Sequence, residues 1–265
     1  MNFTYFKSND GINIMVKLIE TQRLFKYCHL IFNVVCQSSN KSLEKSLIKH
    51  GSTGANWKSL ENAFLSNLKI LNAKYIEAKY LARLIKNIGG NLCEINIDSP
   101  KYDNFNNQQE LFQAIAQNCP NLKYLMLVVI NGNNINELEK IIINCQYMNG
   151  LVIVRDKYHS HFDWEKLFEM LIKSSPINLN KFKFYIRDKY PFISLGFLNL
   201  FLNKWKGRHP MLLHTVREYS CLNEFEKYFD LLEKYKAEGI IKKYEIGYTY
   251  TYEDFEWIKK KTGYS

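Results

Sequence analysis

A chain of 265 residues with 46% hydrophobic and 15% aromatic residues is too apolar for a disordered protein, so we expect it to be folded from end to end. No segment reaches the roughly 18 consecutive apolar residues of a membrane span, and the N-terminus does not resemble a signal peptide, which predicts a cytoplasmic or nuclear protein. The formal charge of +10 suggests nucleic-acid binding, but lysines alternate with glutamates in the predicted helices, as they do on solvated helix faces.

The first 66 residues carry only weak signs of regular structure. A helical triplet, meaning apolar residues at i, i+3 and i+4, occurs at Met15, Leu18 and Ile19, and an apolar run over residues 24–35 follows it. Residues 51–64 begin with Gly-Ser-Thr-Gly, which predicts a loop. We interpret residues 1–66 as irregular or degenerate N-terminal repeats.

From residue 67 onward the helical triplet recurs regularly, at steps of 31, 26, 30, 30 and 30 residues. Each triplet is followed by a glycine or proline and then by a strand-like apolar run. A unit of helix, turn and strand that recurs in tandem is typical of a solenoid. The triplets are Leu81/Leu84/Ile85, Phe112/Ile115/Ala116, Leu138/Ile141/Ile142, Phe168/Leu171/Ile172, Leu198/Phe201/Leu202 and Tyr228/Leu231/Leu232.

The two most similar units adjoin each other in residues 107–155. An offset of 26 residues superimposes Cys119 on Cys145, and each unit ends with the Leu-x-x-Leu-x-Leu spacing of a short strand. Equivalent positions one repeat apart predict that both cysteines are small buried hydrophobic residues, not a disulfide pair.

Each predicted strand is reached from the preceding one through a helix, so the strands should be parallel and the helices should form an outer layer. The predicted fold class is α/β, a leucine-rich-repeat solenoid with a curved parallel sheet on the concave side and helices on the convex side. The array should span residues 67–250, and residues 251–265 should form a C-terminal capping helix and tail.

The segments NCPNLKYLML and NCQYMNGLVIV resemble the cysteine-containing repeats of F-box/leucine-rich-repeat proteins, the substrate receptors of cullin-RING ubiquitin ligases. The resemblance covers about residues 67–247. It implies a solenoid that captures a substrate protein, while an N-terminal F-box docks on the Skp adaptor. Residues 1–40 contain no recognisable F-box, so the chain is either a shortened member or one whose box has diverged. A Skp-cullin ligase is expected as a partner only if an F-box is present elsewhere.

Few residues are candidates for catalysis or metal binding. His159 and His161 with Asp163 form the one cluster with metal-ligand character, but Asp163 is better explained as the N-cap of a helix that begins at Trp164. No phosphate-binding, dinucleotide or zinc-protease motif occurs. We therefore predict a protein that is not an enzyme, with no catalytic residue, no metal and no cofactor.

The alternation of side chains along the strands predicts the binding surface. The leucines of each strand face the core, so the residues between them and just after them face the concave side. This exposed surface should have an acidic edge, an apolar centre and a basic end, which is typical of a protein-binding patch, although strand propensity explains the valines equally well. The residues are Glu94, Asn96, Asp98, Tyr124, Met126, Val128, Val152, Val154, Lys181, Lys183, Tyr185 and Lys243, with Glu245 beside the last.

These features favour a non-enzymatic protein-recognition solenoid that resembles the substrate-binding part of an F-box/leucine-rich-repeat ubiquitin-ligase receptor. Its partner would be an unknown protein on the concave face. The alternative is a basic solenoid that binds RNA on that face, although neither nucleic acid nor membrane is the expected partner. Salt separates the two, because phosphate contacts weaken steeply as salt rises.

Overall fold

The computed structural model describes residues 68–74, 76–88, 90–98, 105–129, 132–155, 162–186, 193–217 and 225–247, so the predictions for residues 1–66 and for 251–265 lie outside the described residues. Seven strands alternate with six helices within these ranges. In chain order the elements are β1 Ile70–Lys74, α1 Ala78–Ile88, β2 Glu94–Asp98, α2 Phe105–Asn118, β3 Tyr124–Val129, α3 Gly132–Asn144, β4 Gly150–Arg155, α4 Trp164–Ser174, β5 Lys181–Ile186, α5 Leu195–Lys204, β6 Met211–Arg217, α6 Phe225–Ala237 and β7 Ile241–Gly247.

All seven strands belong to one parallel sheet, in which each strand pairs with its neighbours in sequence. The predicted α/β class with parallel strands is therefore confirmed, and the order of the strands is compatible with a solenoid. Among the described residues, no helix has the length and apolarity needed to cross a membrane.

The strands begin in register, held by a ladder of shared backbone acceptors. The carbonyl oxygen of Lys69 accepts hydrogen bonds from the N–H groups of Cys93 and Glu94, at 2.8 and 3.1 Å. The same two-donor pattern recurs one repeat later at the carbonyl of Cys93, and again at those of Lys123 and Asn149. The turns into β2, β3, β4 and β5 are therefore each fixed directly to the turn before them.

The helices form where the triplets predict them. Most triplet side chains are buried against one face of the sheet, together with strand residues such as Leu125, Leu151 and Phe182. Gly90 and Gly239 follow α1 and α6 with φ of 84° and 74°, the left-handed backbone that commonly ends a helix and that glycine adopts without strain. At the start of α4, the Asp163 side chain accepts a hydrogen bond from the Lys166 N–H at 2.9 Å, so the predicted N-cap is confirmed.

Cys119 and Cys145 occupy equivalent buried positions directly after α2 and α3, and both are free thiols, as predicted. The thiol of Cys145 donates a hydrogen bond to the Cys119 carbonyl oxygen at 3.1 Å, which joins the two repeats. Burial raises the pKa of Cys145 to about 12, and burial raises the pKa of Cys119 as well. Both thiols are therefore neutral packing groups near neutral pH, and the Cys145 thiol is also a hydrogen-bond donor.

Candidate binding surface on the second face of the sheet

The face of the sheet that points away from the helices, here called the second face, carries all twelve residues of the predicted binding surface. The pairing register arranges the side chains in rows across the strands. The first row is Glu94, Tyr124, Gly150, Lys181, Leu212 and Lys243. The second row is Asn96, Met126, Val152, Lys183, His214 and Glu245. The third row is Val128, Val154, Tyr185, Val216 and Gly247, and Asp98 ends β2 on the same face.

The centre of the second face is buried, so the expectation that it is exposed is wrong. Six residues form a second apolar cluster with exposures of 0–7%: Met126, Val128, Val152, Val154, Tyr185 and Val216. Tyr124, Asp98 and Lys183 are equally inaccessible, at 3%, 2% and 1%. Parallel sheets are usually covered on both faces, and their strands then read as continuous apolar runs. The uninterrupted YLMLVV of β3 is such a run, and it was the sequence signal for burial on this face.

Tyr124, Gly150 and Lys181 pack closely in the first row, across three successive strands. A Cβ atom at Gly150 would lie only 2.8 Å from Cδ1 of Tyr124, so the glycine makes room for the ring. The Lys181 Nζ lies 5.4 Å from the centroid of the same ring, a cation-π distance. This middle part of the first row is therefore closely packed.

The most accessible part of the second face lies at β7, beside the half-buried His214 of β6. Glu245 pairs with Lys243, and its Oε2 lies 3.8 Å from Nδ1 of His214. The hydrogen bond from Lys243, supported by the charges of His214 and Lys183, lowers the pKa of Glu245. The side chains of Lys243 and Glu245 are 62% and 43% exposed. Two charged groups therefore stand at the open end of a face whose centre is closed.

Sequence reasoning missed the contribution of β6 to this surface. Leu212, His214 and Val216 lie between the β5 and β7 residues that it identified. The sequence of β6, MLLHTVR, lacks the Leu-x-x-Leu-x-Leu pattern, but the register places Leu212 31 residues after Lys181, as Lys181 follows Gly150 by 31. Extending the period through β6 would have found these positions.

The remaining candidate for metal chemistry falls largely outside the described residues, which include neither His159 nor His161. Asp163 serves as the helix cap described above. Within the described ranges, no group of three or more His, Cys, Asp or Glu side chains could hold a metal ion. A scan of the sequence against protein-family models and a search of curated proteins give no match.

Proposed function

We propose that this chain is a non-enzymatic protein-recognition solenoid, similar in role to the substrate-binding part of an F-box/leucine-rich-repeat receptor. The observation that carries the proposal is the second face, where strands in register build one continuous face whose apolar centre is buried and whose charged residues Lys243 and Glu245 remain exposed at the β7 end. Repeat proteins typically recognise partners through such a continuous face, with specificity supplied by individual side chains.

Burial assigns different roles to the residues of this face. Val152 and Val154 are too inaccessible to meet a partner, so they support the surface from within. Lys243 and Glu245, with the half-buried His214 beside them, would make the direct contact at the β6–β7 end. Charged groups at the accessible rim of a contact mainly govern which partner is accepted and how fast it associates.

RNA is the weaker alternative, because the lysines of this face are already engaged. Lys181 lies over the Tyr124 ring, Lys183 lies 4.9 Å from the Tyr185 ring centroid, and Lys243 pairs with Glu245. Phosphate binding on this face would require cations that can reach a phosphate chain.

The test is affinity capture of intracellular proteins on the tagged full chain, with a charge-swapped variant beside the parent. Lys243→Glu with Glu245→Lys keeps an ion pair but reverses its direction, so the fold should persist and the partner should be lost. The matched control is Glu226→Lys with Lys227→Glu, an exposed pair of adjacent residues in the first turn of α6. A partner retained by the parent and the control, but not by the β7 swap, supports the proposal.

Salt and the nature of the captured molecule give the opposing outcomes. Both contacts should weaken as salt rises, because charged groups make them, but RNA held through many phosphates should be released much more steeply than a protein held through the Lys243 and Glu245 charges. Recovery of RNA in place of protein, or equal capture by both swapped variants, would exclude the proposal. Skp and cullin are scored in the same eluates, and we expect neither, because residues 1–40 contain no recognisable F-box.

A further inference from the structure

Within the described residues, one edge of the protein carries many basic residues and almost no acidic ones. This turn edge consists of residues 68–69 together with the last turn of each described helix and the connection from it to the next strand, residues 85–93 without 89, 115–123, 141–149, 171–180, 201–210 and 234–240. Glu238 is the one acidic residue among the described residues of this edge. The basic residues are Lys69, Lys86, Lys123, Lys173, Lys204, Lys206, Arg208, Lys234 and Lys236.

Helix electrostatics account for only part of this charge. Lysines in the last turn of a helix, such as Lys86, Lys173 and Lys204, favourably oppose the negative end of the helix dipole. Lys69 and Lys123 lie on the strand side of the edge, immediately before β1 and β3. At these positions the dipole of a helix end does not account for a positive charge. They therefore extend the positive charge from the helix side to the strand side of the edge.

Some of these cations are balanced and others are not. Lys86, Lys173, Lys206 and Lys236 pair with glutamates at 2.9–3.4 Å. In the part of the chain that the structure describes, Lys69, Lys123, Lys204 and Lys234 form no ion pair. All four are exposed.

Apolar side chains stand out from the middle of the same edge. Ile143, Tyr147 and Ile177 are 50%, 59% and 70% exposed. They lie at the ends of α3 and α4 and in the turns that follow, between the basic residues contributed by the first repeats and those contributed by the last. The edge is thus an exposed apolar patch flanked by lysines on both sides.

The turn edge is also level. Because the carbonyls of Lys69, Cys93, Lys123 and Asn149 each bind the start of the next strand, the turns into β2 to β5 end at the same position along the strand direction. Strands about 4.8 Å apart and helices about 10 Å apart extend this edge in two dimensions. A level, two-dimensional edge can place many of its side chains against one flat surface.

We propose that the turn edge binds an anionic lipid surface, with the lysines at the headgroups and with Tyr147 and Ile177 inserted among them. Each lysine close to such a surface adds to the attraction, and exposed aliphatic and aromatic side chains add apolar burial at the interface. This departs from the sequence-based expectation of no membrane partner, because the edge is assembled from residues far apart in the sequence. It concerns a surface separate from the second face and does not depend on the function proposed for that face.

The chemistry of the edge favours lipid over the other polyanions. Single-stranded nucleic acid is held by aromatic side chains that stack on bases, and two of the three exposed apolar residues here, Ile143 and Ile177, are aliphatic. A compact acidic protein segment would be served by a groove, whereas these side chains project from turns on a level edge. Nucleic acid and protein are therefore alternative outcomes of the test.

The experiment is co-sedimentation of the full chain with vesicles of phosphatidylcholine containing about 30% phosphatidylserine, compared with vesicles of phosphatidylcholine alone. We expect binding to the anionic vesicles that falls at least tenfold when salt rises from about 0.05 to about 0.5 M. Binding to neither kind of vesicle, or equal binding to both, overturns the proposal. Binding to single-stranded RNA without binding to anionic vesicles also overturns it.

Two pairs of variants locate the contact, with circular dichroism to verify that each is folded. Lys123→Glu with Lys204→Glu should weaken vesicle binding about tenfold or more. The control, Lys166→Glu with Lys227→Glu, makes the same change in net charge at the opposite edge, in the first turns of α4 and α6. It should bind vesicles like the parent, except for a small loss of affinity caused by the lower net charge. Equal weakening by the two double variants would exclude this edge as the contact.

The apolar contribution has its own control. Tyr147→Ser with Ile177→Ser should reduce binding several-fold and should leave its salt dependence in place, whereas Leu200→Ser, at an exposed apolar residue on the body of α5, should change nothing. Unchanged binding by the Tyr147 and Ile177 variant overturns the insertion that we propose.

Discussion

From α1 to β4 the buried core is aliphatic apart from Phe112 and includes small residues such as Ala82, Ala114 and Cys119, whereas from α4 to β6 it is built on several aromatic rings. In the second region, Phe182 stacks on Phe184 at a centroid distance of 6.0 Å, and its ring meets others edge to face. Both regions present the same parallel register. The same arrangement of strands therefore accommodates either aliphatic or aromatic core side chains, as long as the core of each repeat is filled.

The two regions also connect their repeats differently at the ends of the helices. In the aliphatic region, the Cys145 thiol donates to the Cys119 carbonyl. In the aromatic region, the guanidinium of Arg208 donates to the carbonyl oxygens of Ile172 and Ser175, at 3.0 and 3.2 Å. A weak neutral donor serves where side chains are small, and a charged donor reaches across where they are large.

The largest contrast should come from a matched pair of core truncations. Leu151 on β4 and Phe182 on β5 are register partners, and both side chains are fully buried. Leu151→Ala should reduce the free energy of unfolding by about 2–5 kcal/mol, and Phe182→Ala by about 1 kcal/mol more, because the larger cavity also removes ring contacts with Phe201 and Trp205. Urea denaturation measures both. If Leu151→Ala lowered the free energy of unfolding more than Phe182→Ala, the aromatic part of the core would not be the more strongly stabilised part.

A medium effect is expected at the connection made by Arg208. Arg208→Ala removes two hydrogen bonds from a charged donor and leaves the end of α4 uncapped, so it should cost about 2–3 kcal/mol. Arg208→Lys keeps the charge but cannot bind both carbonyls in the same fork, and it should fall between Ala and the parent. Urea denaturation of the three proteins gives the order. A Lys variant as unstable as the Ala variant would show that the two-pronged geometry matters more than the charge.

The smallest effect should appear in the cysteine pair. Cys119→Ala and Cys145→Ala each remove one buried sulfur, but only the second also removes a thiol hydrogen bond between described residues. Cys145→Ala should therefore be less stable than Cys119→Ala by about 0.5–1 kcal/mol. Thermal unfolding of the two variants, recorded under reducing conditions, measures this difference. Equal melting temperatures would mean that the thiol contributes by packing alone.

Much of the fold could be predicted, because its signals are local or periodic. The triplets located the helices, the equivalence of Cys119 and Cys145 placed both thiols, and Asp163 was identified as a cap from its position before Trp164. Burial on the second face could not be derived from the period, and its sequence signal was the uninterrupted apolar run of β3. A period of two separates the faces of a strand, but it does not say whether the second face meets water or other atoms.

The turn edge was hidden for a different reason. Lys69 and Lys204 are 135 positions apart in the sequence, and each is surrounded there by ordinary helix or strand neighbours. Only the register of the strands brings such residues to one edge. The sequence of each helix alone shows lysines interspersed with glutamates and contains no information on how the helix ends are arranged in the fold. The lysines therefore resembled scattered surface charge.

The shared carbonyls at the strand starts also bear on how the protein would respond to mechanical force. On the side of the sheet, a repeat is tied to the one before it through such a carbonyl and its own strand pairing, as at Lys123 and Asn149. Tension applied at the two ends of the chain would load the outermost of these connections first, so the repeats should detach one at a time, beginning with the terminal ones. Detached repeats of 24–31 residues would each release roughly 80–110 Å of chain, so the extension should grow in discrete steps whose size follows the length of each repeat.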